Sequence, residues 1–160
     1  TPLYSSAASD VYKRQLQDGV VDNQALATNM DVGLAFVDLA GREVVFAGAK
    51  VALYSSDGES VEQLAGARRA IGDKRLGQYT NASVPLQAGR TFYMTTDGFL
   101  DQAGGEFGYG FGSSRFSDMI RNHAQLPLVE QSRVFSETLA AYQGDRPQRD
   151  DITMLCFRFD

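Results

Sequence analysis

The sequence predicts an α+β fold in which short antiparallel strands come first and helices come after them. Apolar and β-branched runs, separated by turns rich in Gly and Asp, fill the chain from Asp31 to Thr96, and they lie too close together for the long crossovers that parallel neighbours need. Two apolar stripes at helical spacing then run from Ser114 to Tyr142. A last apolar run, Ile152 to Phe159, closes the chain as a strand.

Residues 1–15, TPLYSSAASDVYKRQ, begin without Met and differ in character from the rest of the chain. They read as a non-native, adaptor-derived lead-in and are set aside, leaving 16–160 as the domain. Gln17 to Met30 is polar without clear period, a loop or weak helix. Asp31–Asp38 and Glu43–Ala49 read as a hairpin across Leu39-Ala40-Gly41-Arg42. Lys50–Ser55 is the third strand, and Asp57-Gly58 turns the chain into Glu59–Leu64. Ala65–Gln78 carries three glycines and four basic residues and reads as a loop of concentrated positive charge. Tyr79–Val84 and Thr91–Thr96 are two further strands, the second leading into a short helical turn after Gly98. Gly104–Gly112 is read as a flexible connector, since its GYGFG lacks the Gly-Lys-Ser/Thr ending of a phosphate loop. Phe116, Met119, Ile120 and His123 make one helical stripe over Ser114–Ala124. Leu128, Gln131, Phe135, Leu139 and Tyr142 make the other over Pro127–Tyr142, with Pro127 acceptable in the first turn.

The totals bound the function. A chain of 160 residues with 43% hydrophobic and 22% charged content suits one soluble globular domain. Its net charge of -5 argues against non-specific nucleic-acid binding. The single cysteine, Cys156, excludes an internal disulfide and a cysteine-rich zinc site. No apolar run approaches the roughly 20 residues that cross a bilayer, so cytoplasmic placement is the expectation.

Two carboxylate positions stand at strand boundaries. Thr91–Thr96 reads as a buried strand that stops at Asp97-Gly98, just before the apolar pair Phe99-Leu100. The other Asp-Gly pairs, Asp18-Gly19 and Asp57-Gly58, look like ordinary turns. The last strand is entered through Arg149-Asp150-Asp151-Ile152-Thr153. Separated acids brought together at sheet ends supply the oxygen ligands that hard divalent cations require. An acid at a strand end is also a common turn or helix-cap residue, and the Asp97 stretch alone favours that reading until the far end of the chain is read beside it.

A strand ending in Thr-Asp-Gly-Phe-Leu-Asp-Gln, then two helices, then Arg-Asp-Asp-Ile-Thr-Met-Leu resembles the carboxy-terminal part of the PPM metal-dependent Ser/Thr phosphatases, in their bacterial SpoIIE-like branch. Asn29-Met30-Asp31, Phe46-Ala47-Gly48-Ala49 before Leu53-Tyr54, and Ile71-Gly72-Asp73-Lys74-Arg75 come in family order. The resemblance implies an α+β fold, a mostly antiparallel β-sandwich flanked by helices and incomplete at its amino terminus. It implies two Mn²⁺ or Mg²⁺ ions in the complete domain, with Asp97 and Asp150 as ligands and Gly98 and Asp151 beside them. Two cations about 4 Å apart would activate a water for direct attack on phosphorus, so Asp97 and Asp150 are catalytic through that water. Beside the resemblance, Lys74 and Arg75 sit in a glycine-containing loop and are candidates for the substrate phosphate or an acidic partner, against the simpler reading of a solvated basic loop. The implied partner is a phosphorylated protein, a STAS-domain anti-sigma-factor antagonist among the choices, and an upstream module could tether the parent to a membrane.

One family feature is missing. The first metal motif, an Asp-Gly near the start of the domain, has no counterpart, and Asp18-Gly19 lacks the expected sequence after it. The alternative function is therefore a catalytically inactive, phosphatase-like partner-binding domain. A generic α+β binding domain whose acids only terminate strands is a third reading. Other hydrolytic chemistries find no support: only four residues lie beyond Cys156, and the lone His123 sits on an apolar stripe.

Overall fold

Strands β1 (Val32–Asp38) and β2 (Glu43–Ala49) form the expected hairpin, antiparallel in register from Val32↔Ala49 to Asp38↔Glu43. These positions come from a computed structural model, which describes residues 29–73, 75 and 77–159. The lead-in over residues 1–15, the loop or weak helix before Asn29, Asp18-Gly19 and Lys74 lie outside the described residues. The hairpin turn closes on the Gly41 N–H, which donates to Asp38 Oδ1 at 2.8 Å. β5 (Ala82–Pro85) pairs with β2, giving a three-stranded sheet in the order β1-β2-β5. Alternation sends Val44, Phe46 and Val84 to a buried face while Leu34 and Phe36 on β1 stay exposed.

The third strand starts later than its composition suggests. Lys50 takes a left-handed φ of 62°, which turns the chain before β3 (Leu53–Ser56) can begin. The glycine-rich stretch after β4 (Val61–Leu64) is pinned by backbone bridges: Ala67 N–H donates to Gly48 O at 2.7 Å, and Met30 and Ile71 exchange two bonds of 2.8 Å. Glycine is required for this close approach, since a Cβ on Gly48 or Gly66 would stand 2.2 Å from the Val51 carbonyl oxygen.

The chain divides into two compact units, and the second comprises Ala52–Leu64 and Leu86–Asp160. It holds a four-stranded antiparallel sheet in the order β4-β3-β6-β9, with β4 at Val61–Leu64, β6 at Thr91–Thr95 and β9 at Met154–Arg158. Three helices come after β6: α1 (Asp97–Asp101), α2 (Gly112–His123) and α3 (Leu128–Gln143). The stripes behave as read, with Phe116, Met119 and Ile120 of α2 and Gln131, Phe135 and Leu139 of α3 buried. Tyr54 and Tyr93 of the sheet join the apolar residues of these stripes, Phe99 and Phe111 in one core. Its aromatic rings meet edge to face, Tyr54 on Phe116 at 5.0 Å and Phe99 on Phe111 at 5.4 Å.

The segment expected to be a flexible connector is instead a two-stranded ribbon, β7 (Ala103–Gly104) with β8 (Tyr109–Gly110). It is braced from α3, whose Tyr142 hydroxyl lies 2.9 and 3.2 Å from the carbonyl oxygens of Tyr109 and Gly110.

The β3–β4 turn is fastened by Asp57. Its Oδ1 accepts the Ser60 and Glu59 N–H groups at 2.8 and 3.0 Å, and Arg90 donates to its Oδ2 at 3.4 Å. These backbone hydrogen bonds hold the Asp57 carboxyl well below the usual carboxylate range. Asp57→Ala should cost about 1 kcal/mol at neutral pH, the scale of one lost cap. A depressed folded-state pKa means that this contribution is complete above pH ~4 and is lost as pH falls further. Urea unfolding at pH 7 and pH 3 checks it: the gap between wild type and variant narrows at pH 3.

Candidate active site

β6 and β9 pair from Thr91↔Arg158 to Thr95↔Met154. That register decides what meets at the end of the sheet: the chain leaves β6 into Asp97 at the spot where it enters β9 from Asp150 and Asp151. Thr96 continues the pairing one step beyond the strands, its N–H donating to Thr153 O at 3.0 Å. Its hydroxyl donates to Asp151 O and accepts the Thr153 N–H, each at 3.0 Å. Thr95 Oγ1 adds a bond of 3.1 Å to Thr153 O. A threonine pair thus laces the two acid-bearing segments together.

Gly98 sets how closely they pack. It is buried, and a Cβ placed on it would lie 2.4 Å from Asp151 O and 3.3 Å from Asp150 C. No side chain larger than hydrogen fits that approach. Asp97 opens α1, where the partial positive charge of a helix start favours a carboxylate. The Asp97, Asp150 and Asp151 side chains are all exposed. Asp150 Oδ1 accepts the Asp151 N–H at 2.7 Å, and Gln148 Nε2 donates to Asp150 O at 2.8 Å.

Four of the six residues singled out from sequence therefore come together: Asp97, Gly98, Asp150 and Asp151. Arg75 lies in the first unit, exposed, with its N–H donating to Asp73 Oδ1 at 3.1 Å. The sixth, Lys74, is not among the described residues. Sequence reading passed over Thr96 and Thr153, although each lies within two residues of an acid in the motifs Thr-Thr-Asp and Asp-Asp-Ile-Thr. The Thr96 hydroxyl and the Thr153 backbone carry the lacing.

The acids fit a hard divalent cation in kind, being carboxylate oxygens open to solvent. Among the described residues, however, no group of three or more His, Cys, Asp or Glu side chains comes together as a binding cluster. The other nucleophile candidates are occupied structurally. Burial pushes the Cys156 thiol up to about 11, so it is protonated at neutral pH. His123 Nδ1 sits 2.7 Å from Met119 O, its ring edge-on to Phe135 at 6.2 Å.

Solved structures share this fold. The SiaA-PP2C domain of Pseudomonas aeruginosa is 59% identical, with a TM-score of 0.83 over 92% of this chain and 57% of that chain. The phosphatase domain of the cell fate determinant SpoIIE from Bacillus subtilis is 14% identical, with a TM-score of 0.65 over 94% of this chain and 66% of that one. The Mycobacterium tuberculosis serine/threonine phosphatase PstP/Ppp is 14% identical, with a TM-score of 0.63 over 94% and 69%. The present chain thus spans 57% and 66% of the first two. The fold is that of the PP2C, or PPM-type, phosphatases. The family model for stage II sporulation protein E (SpoIIE) matches residues 6–160, and the chain belongs to that family. No curated protein matches it.

Proposed function

We propose that this chain forms part of the active site of a metal-dependent phosphoprotein phosphatase that hydrolyses phosphoserine and phosphothreonine. Asp97 and Asp150 are its ligands to Mn²⁺ or Mg²⁺, with Gly98 and Asp151 beside them. The observation that carries this reading is the backbone contact of Gly98 with Asp150 and Asp151, which joins two acids 53 residues apart, 150 − 97, at one end of a sheet. When bound, such cations activate water and offset the charge on the phosphoryl oxygens.

The chain's own residues supply position. β6 and β9 fix the two carboxylates, the threonine hydroxyls hold the segments in register, and α1 starts at Asp97. A protonated Cys156 and a packed His123 support a route without a covalent enzyme intermediate. Lys74 and Arg75 complete the proposal as contacts for the substrate phosphate. The substrate class is a phosphorylated regulatory protein, a STAS-domain anti-sigma-factor antagonist among them, and cytoplasmic placement goes with it. Among the described residues no helix is long and apolar enough to cross a membrane.

The second reading is a partner-binding domain without catalysis. It is favoured by the lack, among the described residues, of three ligating side chains in one cluster. One assay separates the two. Mn²⁺-dependent hydrolysis of a phosphoserine peptide is measured for the chain alone and joined to an amino-terminal segment bearing the family's first Asp-Gly motif. The phosphatase reading expects activity in the joined protein and a loss of about 100-fold or more in kcat/KM for Asp97→Asn and for Asp150→Asn, the scale on which catalysis loses one electrostatic contact. A folded, joined protein without activity supports the binding domain, and activity indifferent to both substitutions rejects the assigned ligands.

A further inference from the structure

Gln102 is a buried polar residue that the proposed chemistry does not use. It comes directly after α1 and is 1% exposed. Its Nε2 donates to its neighbour's carbonyl, Ala103 O, at 3.0 Å and to Pro147 O at 3.2 Å. Its Oε1 is buried with no hydrogen-bond partner among the described residues. A buried amide with one orphaned acceptor is an expensive way to fill space, and an apolar side chain of the same shape would fill it better. What the amide gains in exchange is a hold on Pro147.

Pro147 lies in the exposed segment from Gly144 to Asp150 that delivers the second acid. The other side chains fastening this segment are more open to solvent. Arg146 reaches the carbonyls of Gly105 and Glu106 at 3.4 and 3.3 Å, and Gln148 donates to Asp150 O at 2.8 Å, all in exposed surroundings. Gln102 is the buried anchor among them. It is also covalently tied to the first acid, since only α1 separates it from Asp97. One amide therefore connects the end of the Asp97 helix to the segment that carries Asp150.

We propose that Gln102 is a positioning residue for the acid pair: its donation to Pro147 O holds the 144–150 segment so that Asp150 stays against Gly98 and beside Asp97. The proposal rests on the phosphatase reading for its kinetic consequence, whereas the ordering of the segment stands without it. Gln102→Leu separates positioning from packing, because it keeps the volume, removes the orphaned oxygen and releases Pro147. Global stability is then unchanged or slightly higher, and the site alone loosens.

Three readouts on the Gln102→Leu chain test this. Thermal melting should give a midpoint unchanged or raised by a few degrees. Hydrogen exchange in metal-free protein should accelerate several-fold at the Asp151 amide, which donates to Asp150 Oδ1, while β6 amides keep their protection. In the protein joined to the first Asp-Gly motif, the Mn²⁺ concentration for half-maximal p-nitrophenyl phosphate hydrolysis should rise about tenfold, the scale for losing a group that orients a ligand, with kcat restored at saturating Mn²⁺. Unchanged Asp151 exchange overturns the proposal, as does a drop in melting temperature that accounts for every other change. Faster exchange without any phosphatase activity in wild type retains the positioning role and rejects the phosphatase reading instead.

Discussion

Gly98→Ala is expected to lower metal-dependent phosphatase activity by about 100-fold and to destabilise the second unit by about 1–3 kcal/mol. Local propensity predicts the reverse. Gly98 lies inside α1 without a left-handed backbone, and replacing such a glycine by alanine favours a helix by about 1 kcal/mol. Packing decides against it: the new methyl would stand 2.4 Å from Asp151 O and 3.1 Å from Asp151 C. Both are backbone atoms, so no flexible side chain can swing away. Relief requires the entry to β9 to retreat from α1, which carries Asp150 away from Asp97. A displacement of about 1 Å is enough to lose two orders of magnitude when reacting groups must be held in place. Hydrolysis of p-nitrophenyl phosphate with Mn²⁺ in the joined protein, beside a melting curve, measures both effects. A variant that is fully active and melts higher would mean that Gly98 serves the helix alone and that the acids are not coupled through it.

Much of this arrangement was legible in the sequence. The β1–β2 hairpin could be read from alternation and a Gly-containing turn, and both later helices from their stripes. The boundaries that slipped have particular causes. Lys50 adopts a left-handed backbone that no propensity assigns to lysine, so the third strand begins at Leu53. The 104–112 segment alternates Phe107, Tyr109 and Phe111 with glycines, which favour a loop over a strand, and its pairing is braced by Tyr142 from α3, far along the chain. At the site, residue types and order pointed to Asp97 and Asp150. What brings them together, the register Thr95↔Met154, is a tertiary fact that a separation of 53 residues, 150 − 97, does not contain. Gln102 ends a motif and Gln131 sits on a helical stripe, but the task of each stayed hidden for the same reason. A polar side chain in an apolar setting reveals its task only when its partners are known.

Gln131→Ala is expected to destabilise the second unit by about 3–5 kcal/mol, a large share of the 5–15 kcal/mol that holds a typical domain. Gln131 is fully buried on α3. Its Oε1 accepts the Tyr93 hydroxyl at 2.9 Å, and its Nε2 donates to Ala124 O and Leu126 O at 3.1 and 2.9 Å. Truncation opens a cavity and strands the Tyr93 hydroxyl, which burial already pushes well above the usual tyrosine range. The two carbonyls belong to the α2–α3 turn, and Thr91 of β6 and Arg158 of β9 also reach Ala124 O, each at 3.2 Å. The turn is therefore a clasp on the two strands whose far ends carry Asp97 and Asp150. Gln131→Glu tests the chemistry more sharply than truncation. A carboxylate there would face two carbonyl oxygens in a dry setting, so the folded state favours the protonated acid and raises its pKa above the unfolded value of about 4.3. A raised folded-state pKa leaves stability intact below pH ~4.3 and erodes it as pH climbs toward the folded-state value. Melting of Gln131→Glu should fall steeply between pH 5 and pH 8 where wild type changes little. A Tyr93→Phe, Gln131→Leu double variant should recover much of what either single change loses, since it removes both ends of the hydrogen bond together. Equal melting of Gln131→Glu at both pH values would mean that water reaches this turn, and the clasp would then contribute far less to the alignment of β6 with β9.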